Sequence, residues 1–393
     1  MKFLFITHDL IVEKWHLMPW RTLVEVVSYI NINGHEAELL SLSNTNDPFY
    51  INDHNLLVNQ INKNHNSFQH VLIDFVKEKQ PNVIYWPLSW RESLKRTKIA
   101  GLLKTPLIGY FPGGSYTKLS SLFALKRLGL HGSLPYLLEA FFPLKFQINH
   151  LKKNGFKQLI AITDYTANKI VKAGWAENNV CCIPPGKEEN KKKLTPENMP
   201  ENIKTWLDSR SFYLFMGPPS AIRGVYEMLA AFDKAAETKS DFCLVCLFRS
   251  DGILETEKIK KTISGLKHKD RVYSIWGSLT KDKLSSFIQS CHGLIQPFVL
   301  VPSEIPLAII ENMEWGKPVI VTNNEGTGKF VSSFGIQIPP GSTNRLSKAM
   351  IELIDNKSMY SDKCKTTLEL YKKHPAWNEV SQMWLEVGLT LKA

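Results

Sequence analysis

The chain lacks any window near the roughly 20 uninterrupted apolar residues that a membrane-spanning helix needs. The nearest run, SLPYLLEAFFPLKF at 133–146, is short and carries Glu139 and two prolines. A signal peptide is missing as well, because MKFLFITHDL holds one Lys and a short apolar run that breaks at His8 and Asp9. An integral or exported protein is thereby set aside. The expected setting is the cytoplasm, with a peripheral place at the inner face of a membrane still open. Cysteine is scarce: six residues, at 181, 182, 243, 246, 291 and 364, lack the spacing of a disulfide framework and fit a reduced compartment. Cys243 and Cys246 form a CxxC inside DFCLVCLF, but a strand there would send them to opposite faces, so core packing is expected rather than metal binding. Repeats and low-complexity tracts are absent, which excludes a solenoid. Acids are outnumbered, 37 Asp and Glu against 48 Lys and Arg, and the net charge of +11 favours anionic partners: nucleic acid, phosphorylated substrates or an acidic membrane surface.

What is present is alternation. The length of 393 residues exceeds one ordinary core and suits two domains, since single cores stop growing at about 250 to 300 residues. Strand-like runs KFLFIT, EAELLSL, NVIYWPL, TPLIGYF, QLIAIT and NVCCIPP alternate with helical or loop material in the first half, the mark of βαβ units and a parallel sheet. The Lys-rich segment PPGKEENKKKLTPENMP at 184–200 breaks the pattern, and SFYLFMG, FCLVCLF, RVYSIWG, GLIQPF, KPVIVTN and GIQIPP then repeat it. The expectation is an α/β protein with one domain at 1–190 and a second at 201–375, and with the closing helical stretch 376–393 able to pack back onto the first. Two doubly wound domains facing each other leave a cleft between them, bordered by strand ends and helix N-termini that suit a phosphate-bearing ligand.

Three turns in the second half carry chemistry. In GPPSAIRG, Gly217 ends a strand and Arg223–Gly224 opens a helix, so a cation beside backbone amides could hold a diphosphate. An Arg on a solvated helix start is the competing reading. In RVYSIWG, Ile275 and Trp276 end a strand where a flat apolar slot would suit a nucleotide base, although a core Trp explains them equally. In PSEIPLAIIENMEWGKPVIVTNNEGTG, a loop leads through Pro306 into a helix with Leu307, Ile310 and Met313 toward its inner face. Glu304 at its mouth could accept from sugar hydroxyls or simply complement the helix dipole, and Glu311, deeper in, could bind a ribose diol. Gly326, Thr327 and Gly328 form one more strand-to-helix turn.

The order GPPSAIRG, VYSIWG and E-x-PL-x-x-x-E-N-M-x-x-GKPVIVT resembles the family-four retaining glycosyltransferases of the GT-B fold, closely in the second half and only in layout in the first. The resemblance implies two facing Rossmann-like domains and a nucleoside diphosphate sugar as substrate, with no cofactor or bound metal; no DxD motif is present. It implies that Arg223 holds the diphosphate, that Glu311 binds the ribose, and that Ile305, Pro306 and Leu307 bring the helix start to the phosphates. Arg223 and Glu304 stand at the reacting centre on this reading. Two departures are visible. Glu304 and Glu311 are separated by six residues where the family has seven, and Pro218 takes the place of a second basic residue. The first domain also lacks the family's glycine pair after the first strand and its histidine after the fourth. Gly113, Gly114, Ser115 and Tyr116 form the candidate acceptor-side turn, with His8 as the remaining histidine candidate.

Between Gly114 and Lys157 seven basic residues, among them Lys118, Lys126 and Arg127, face one acid, Glu139, and are interleaved with Leu and Phe. An amphipathic basic surface of this kind can meet anionic lipids and reach a lipid-anchored acceptor. Two ordinary amphipathic helices are the plainer alternative. Nucleic acid is not expected, because the interleaved residues are aliphatic rather than a stacking platform. The function expected is transfer of a sugar to a lipid-linked or cell-envelope glycan acceptor. A nucleotide-sugar epimerase of the same fold and a non-catalytic partner subunit are the alternatives.

Overall fold

A computed structural model describes residues 1–89, 93–113, 116–189, 199–249 and 253–392. The chain divides into two compact units, one of Met1–Ser115, Phe141–Glu189 and Pro375–Ala393, the other of Tyr116–Ala140 and Asn190–His374. The segment 116–140, counted by sequence with the first domain, therefore belongs with the second.

In the first unit the strands are β1 (Lys2–His8), β2 (Glu36–Ser43), β3 (Phe49–Ile51), β4 (Leu56–Asn62), β5 (Val83–Pro87), β6 (Leu107–Tyr110), β7 (Phe156–Ala161) and β8 (Val180–Cys182). They form one sheet in the order β3-β4-β2-β1-β5-β6-β7-β8, parallel except for β3 against β4. The central strands are apolar along their whole length because helices cover both faces; Phe3 to Ile6 and Val83 to Pro87 are all buried. The order reverses between β1 and β5, which leaves the end of β1, His8, at a topological switch point. The helix Trp377–Leu389 packs on the helix Trp20–Ile32. Its Trp384 ring sits among Phe5, Tyr85 and Tyr110, with centroids 5.5 to 6.2 Å away, and the Tyr85 hydroxyl donates to the Trp384 carbonyl. Gly388 permits this approach, since a Cβ there would lie 2.6 Å from that hydroxyl.

The second unit adds β9 (Ser211–Gly217), β10 (Phe242–Phe248), β11 (Val272–Trp276), β12 (Gly293–Gln296), β13 (Val319–Thr322) and β14 (Ile336–Ile338). The order is β11-β10-β9-β12-β13-β14, parallel throughout, with the switch between β9 and β12. One face packs Phe215, Cys246 and Phe248 on the helices Val225–Ala236 and Thr343–Asp355. The other packs Leu214, Cys243 and Val245 on the helix Leu307–Glu314. The two cysteines of the CxxC thus lie in opposite layers, and burial pushes both thiols up.

The helix Lys118–Phe141 is broken at Gly129, whose φ of 68° is left-handed. Before the break, Ala124 packs on Val299 and Leu300 in the loop after β12. Beyond it, Leu130, Leu134, Leu138 and Phe141 are 62%, 46%, 63% and 54% exposed. Their spacing of four, four and three residues puts them on one helical face. No helix among the described residues is long and apolar enough to cross a membrane.

Candidate active site

The loops that leave β9, β12 and β13 interlock at the switch point of the second unit. Gly217 ends β9 at φ 140°, and a Cβ on it would lie 3.0 Å from Arg223 Nη1, so the missing side chain is what lets the guanidinium lie against the strand end. Arg223 also stands 5.8 Å over the Phe298 ring, in the loop after β12. Gly224 (φ 72°) is required twice over, because a Cβ there would lie 1.8 Å from the Pro297 carbonyl oxygen. The Ile222 carbonyl accepts from the amides of Val299 at 2.8 Å and Leu300 at 3.0 Å. Glu255 braces the same turn by accepting from the Ala221 amide at 2.6 Å, and burial pushes its carboxyl up.

The turn after β13 locks onto this loop from the other side. The Phe298 carbonyl accepts from Thr322 Oγ1 (2.8 Å) and Asn324 Nδ2 (3.0 Å), and the Glu304 carbonyl accepts from Thr327 Oγ1 (2.7 Å). Thr327 and Gly326 are buried at the start of the helix Glu325–Phe330. Glu304 has no exposed surface at all. Ile305 and Pro306 are buried behind it, and Pro306 caps the helix Leu307–Glu314.

Two expectations about this helix need correcting. Its inner face is Ile309, Ile310, Asn312 and Met313, with Leu307 half-buried. The order of the acids is also inverted: Glu304, placed at the mouth, is the buried one, and Glu311, placed deeper, is half-buried. Pro306 turns the loop inward before the helix starts, which carries residue 304 under the turn after β13.

Trp276 is half-buried at the end of β11 and packed on one side. Its ring lies against Phe248 at 4.6 Å with the planes tilted by 35°, its indole N–H donates to Ser274 Oγ at 3.1 Å, and the Lys260 ammonium stands 5.4 Å from its centre. Ile275 packs on the opposite layer.

Glu325 escaped the sequence reading, which weighed the glycines of NNEGTG and passed over its acid. It adopts φ 41°, and its Oε1 accepts from the Thr117 amide at 2.8 Å and Ser120 Oγ at 3.0 Å. Burial, then the Glu304 charge, push its carboxyl up against the pull of those hydrogen bonds. Glu227 was missed too. It is buried and pairs with Arg127 Nε at 2.5 Å, so the Arg127 charge is neutralised within the second unit, whereas Lys118 and Lys126 are exposed.

In the first unit His8 is a neutral imidazole. Burial, with Arg96 and Lys63 acting in the same direction and Asp9 against, lowers its pKa to about 3. Arg96 Nη1 lies 2.9 Å from Nδ1, Trp20 Nε1 donates to the His8 carbonyl at 2.8 Å, and Lys63 pairs with Asp9 at 2.5 Å. Gly113 is half-buried, Gly114 and Ser115 lie outside the described residues, and Tyr116 packs edge-on against Tyr136 in the second unit at 5.1 Å.

Residues 211–356 match the family model described as glycosyl transferases group 1. No curated protein sequence matches the chain. Among solved structures, HepE from Anabaena in complex with UDP-glucose superposes with a TM-score of 0.73 at 14% identity, covering 100% of this chain and 99% of that one. Sucrose-phosphate synthase from Thermosynechococcus elongatus gives 0.72 at 12% identity over 99% and 98% of the two chains. A glycosyltransferase from Rickettsia africae gives 0.70 at 15% over 99% and 98%. The fold is GT-B. The sequence similarity to group 1 glycosyl transferases lies within the second unit, while the likeness of fold extends over the whole chain.

Proposed function

We propose that the chain is a retaining, metal-independent transferase that moves a sugar from a nucleoside diphosphate sugar to an acceptor hydroxyl. The observation that carries this reading is Arg223, held by Gly217 and Phe298 at the switch point where open α/β sheets bind phosphate-bearing ligands. In the reaction the bond from the anomeric carbon to the diphosphate oxygen breaks and a bond to the acceptor oxygen forms on the same face. The acceptor proton passes to the departing diphosphate. Arg223 and the neighbouring turn amides oppose the charge that builds there. Glu311 takes the ribose diol, and Glu304 acts toward the transferred sugar. The UDP-glucose held by the Anabaena structure makes uridine diphosphate the first donor to test. Calorimetry should detect binding of UDP or another nucleoside diphosphate, weakened about 10- to 100-fold in Arg223→Ala, the loss of one charge-assisted contact. Transfer should survive EDTA. Unchanged binding in Arg223→Ala removes the reading, and conversion of the donor without transfer favours an epimerase.

The acceptor we infer is a lipid-linked or cell-envelope glycan precursor at an anionic membrane surface. The exposed stripe Leu130, Leu134, Leu138 and Phe141, with Lys126 on the same helix, supports it. Leu134→Asp/Leu138→Asp should abolish flotation with vesicles containing anionic lipid; flotation equal to that of the parent chain rejects the surface.

A further inference from the structure

Glu325 does more than close a turn. It holds a left-handed φ of 41°, a conformation that costs a Glu more than a Gly or Asn. Its side chain is more than nine-tenths buried. One oxygen takes both hydrogen bonds from Thr117 and Ser120, and Oε2, also buried, has no hydrogen-bond partner among the described residues. An ionised carboxylate with a bare buried oxygen is expensive. The charged group that acts on it from the loop after β12 is Glu304, of the same sign and fully buried. From the segment before Ser121 it receives one N–H and one hydroxyl; Lys118 there is exposed, as is Lys329 on the helix that Glu325 begins. Two buried carboxyl groups sharing a site do not both ionise readily.

We propose that Glu325 is a positioning residue for the donor, kept as a neutral acid that ties residues 117–120 to the turn after β13 and adds no negative charge of its own beside Glu304. This rests on the donor reading of the second unit. An incoming diphosphate then approaches a turn to which Glu325 adds no buried negative charge. The raised carboxyl fits: as pH climbs through it, the second charge appears beside the site and donor binding weakens.

The donor KM of the parent enzyme should therefore rise with pH, by up to about tenfold per pH unit once Glu325 ionises, with kcat little changed. E325Q keeps a hydrogen-bond donor where the acid has its proton and cannot ionise, so its KM should not vary with pH. E325A loses the tie to Thr117 and Ser120 and should raise KM at every pH, with rescue in E325Q separating positioning from folding. Superimposable KM profiles for the parent and E325Q overturn the proposal. A second measurement needs no ligand: the infrared difference between the parent chain and E325Q at neutral pH should contain the C=O stretch of a protonated carboxyl, and its absence also overturns the proposal. Failure of the donor reading is distinct, because it appears as absent nucleotide binding while the infrared band persists.

Discussion

His8 shows what a switch point can do to a single side chain. Its folded pKa of about 3 lies below the ordinary 6.5, because burial and two cations favour the neutral ring. The unfolded chain therefore takes up the proton first as pH falls. The stability His8 contributes is present above pH 6.5 and is lost progressively below it, by about 2 kcal/mol on reaching about pH 5. Urea denaturation at these two pH values should show that loss in the parent chain and a smaller one in His8→Gln. Neutral at physiological pH, His8 can accept a hydrogen bond but does not present a positive charge. Residues of this kind are where the sequence is least legible. Arg223 taken alone reads as a cation on a solvated helix start, and it could be singled out only through the order of GPPSAIRG, VYSIWG and the stretch from Glu304 to Thr322. Nothing local to Glu304, Glu311 or Glu325 reveals which is buried, since their depth is set by Pro306 and by Thr327, Thr117 and Ser120 reaching in from other elements.

The helix Lys118–Phe141 changes role along its length. Its first half is tied to the second unit by Thr117 and Ser120 on Glu325, by Ala124 on Val299 and Leu300, and by Arg127 on Glu227. Glu227 keeps only that partner, as its Oε2 is buried and unsatisfied among the described residues. Removing the guanidinium strands a buried carboxylate, so Arg127→Ala should lower stability by about 2 to 4 kcal/mol, and Glu227→Gln added to it should recover most of the loss. Chemical denaturation of the three variants measures both effects. Most strands were legible because buried parallel strands are largely apolar, but β3 and β4 were not, as β3 has three residues and Asn59, Gln60 and Asn62 interrupt the apolar run of β4. The allegiance of this helix was not: its composition records amphipathicity, while its partners lie about 100 to 200 residues away in sequence.

At the scale of the molecule, each unit is assembled from separated pieces of chain. The closing piece, Pro375–Ala393, puts Trp384 against Phe5, Tyr85 and Tyr110 and Trp377 against Gly186 and the Arg21 guanidinium. Arg21 in turn pairs with Glu25 and with Glu188. A chain stopped at His374 should therefore lose the near-ultraviolet signal of that aromatic cluster and become sensitive to protease within residues 1–115, a comparison that limited proteolysis makes directly. Repeats of βαβ predicted two domains correctly in kind, because local patterning reports the units from which a domain is built. They do not report which pieces are stitched together, because that depends on contacts formed after long excursions of the chain.

The position of that last helix bears on how the protein is made. Domains generally fold as they emerge from the ribosome, earliest first. Here Phe5 and Tyr85, translated before the second unit, wait for Trp384, which is translated after the whole of it. The first unit is begun before the second and completed after it. The nascent chain thus carries an open aromatic socket while the second unit is being made, and stalled ribosomes bearing residues 1–374 should recruit chaperones where released chains that include residues 375–393 do not.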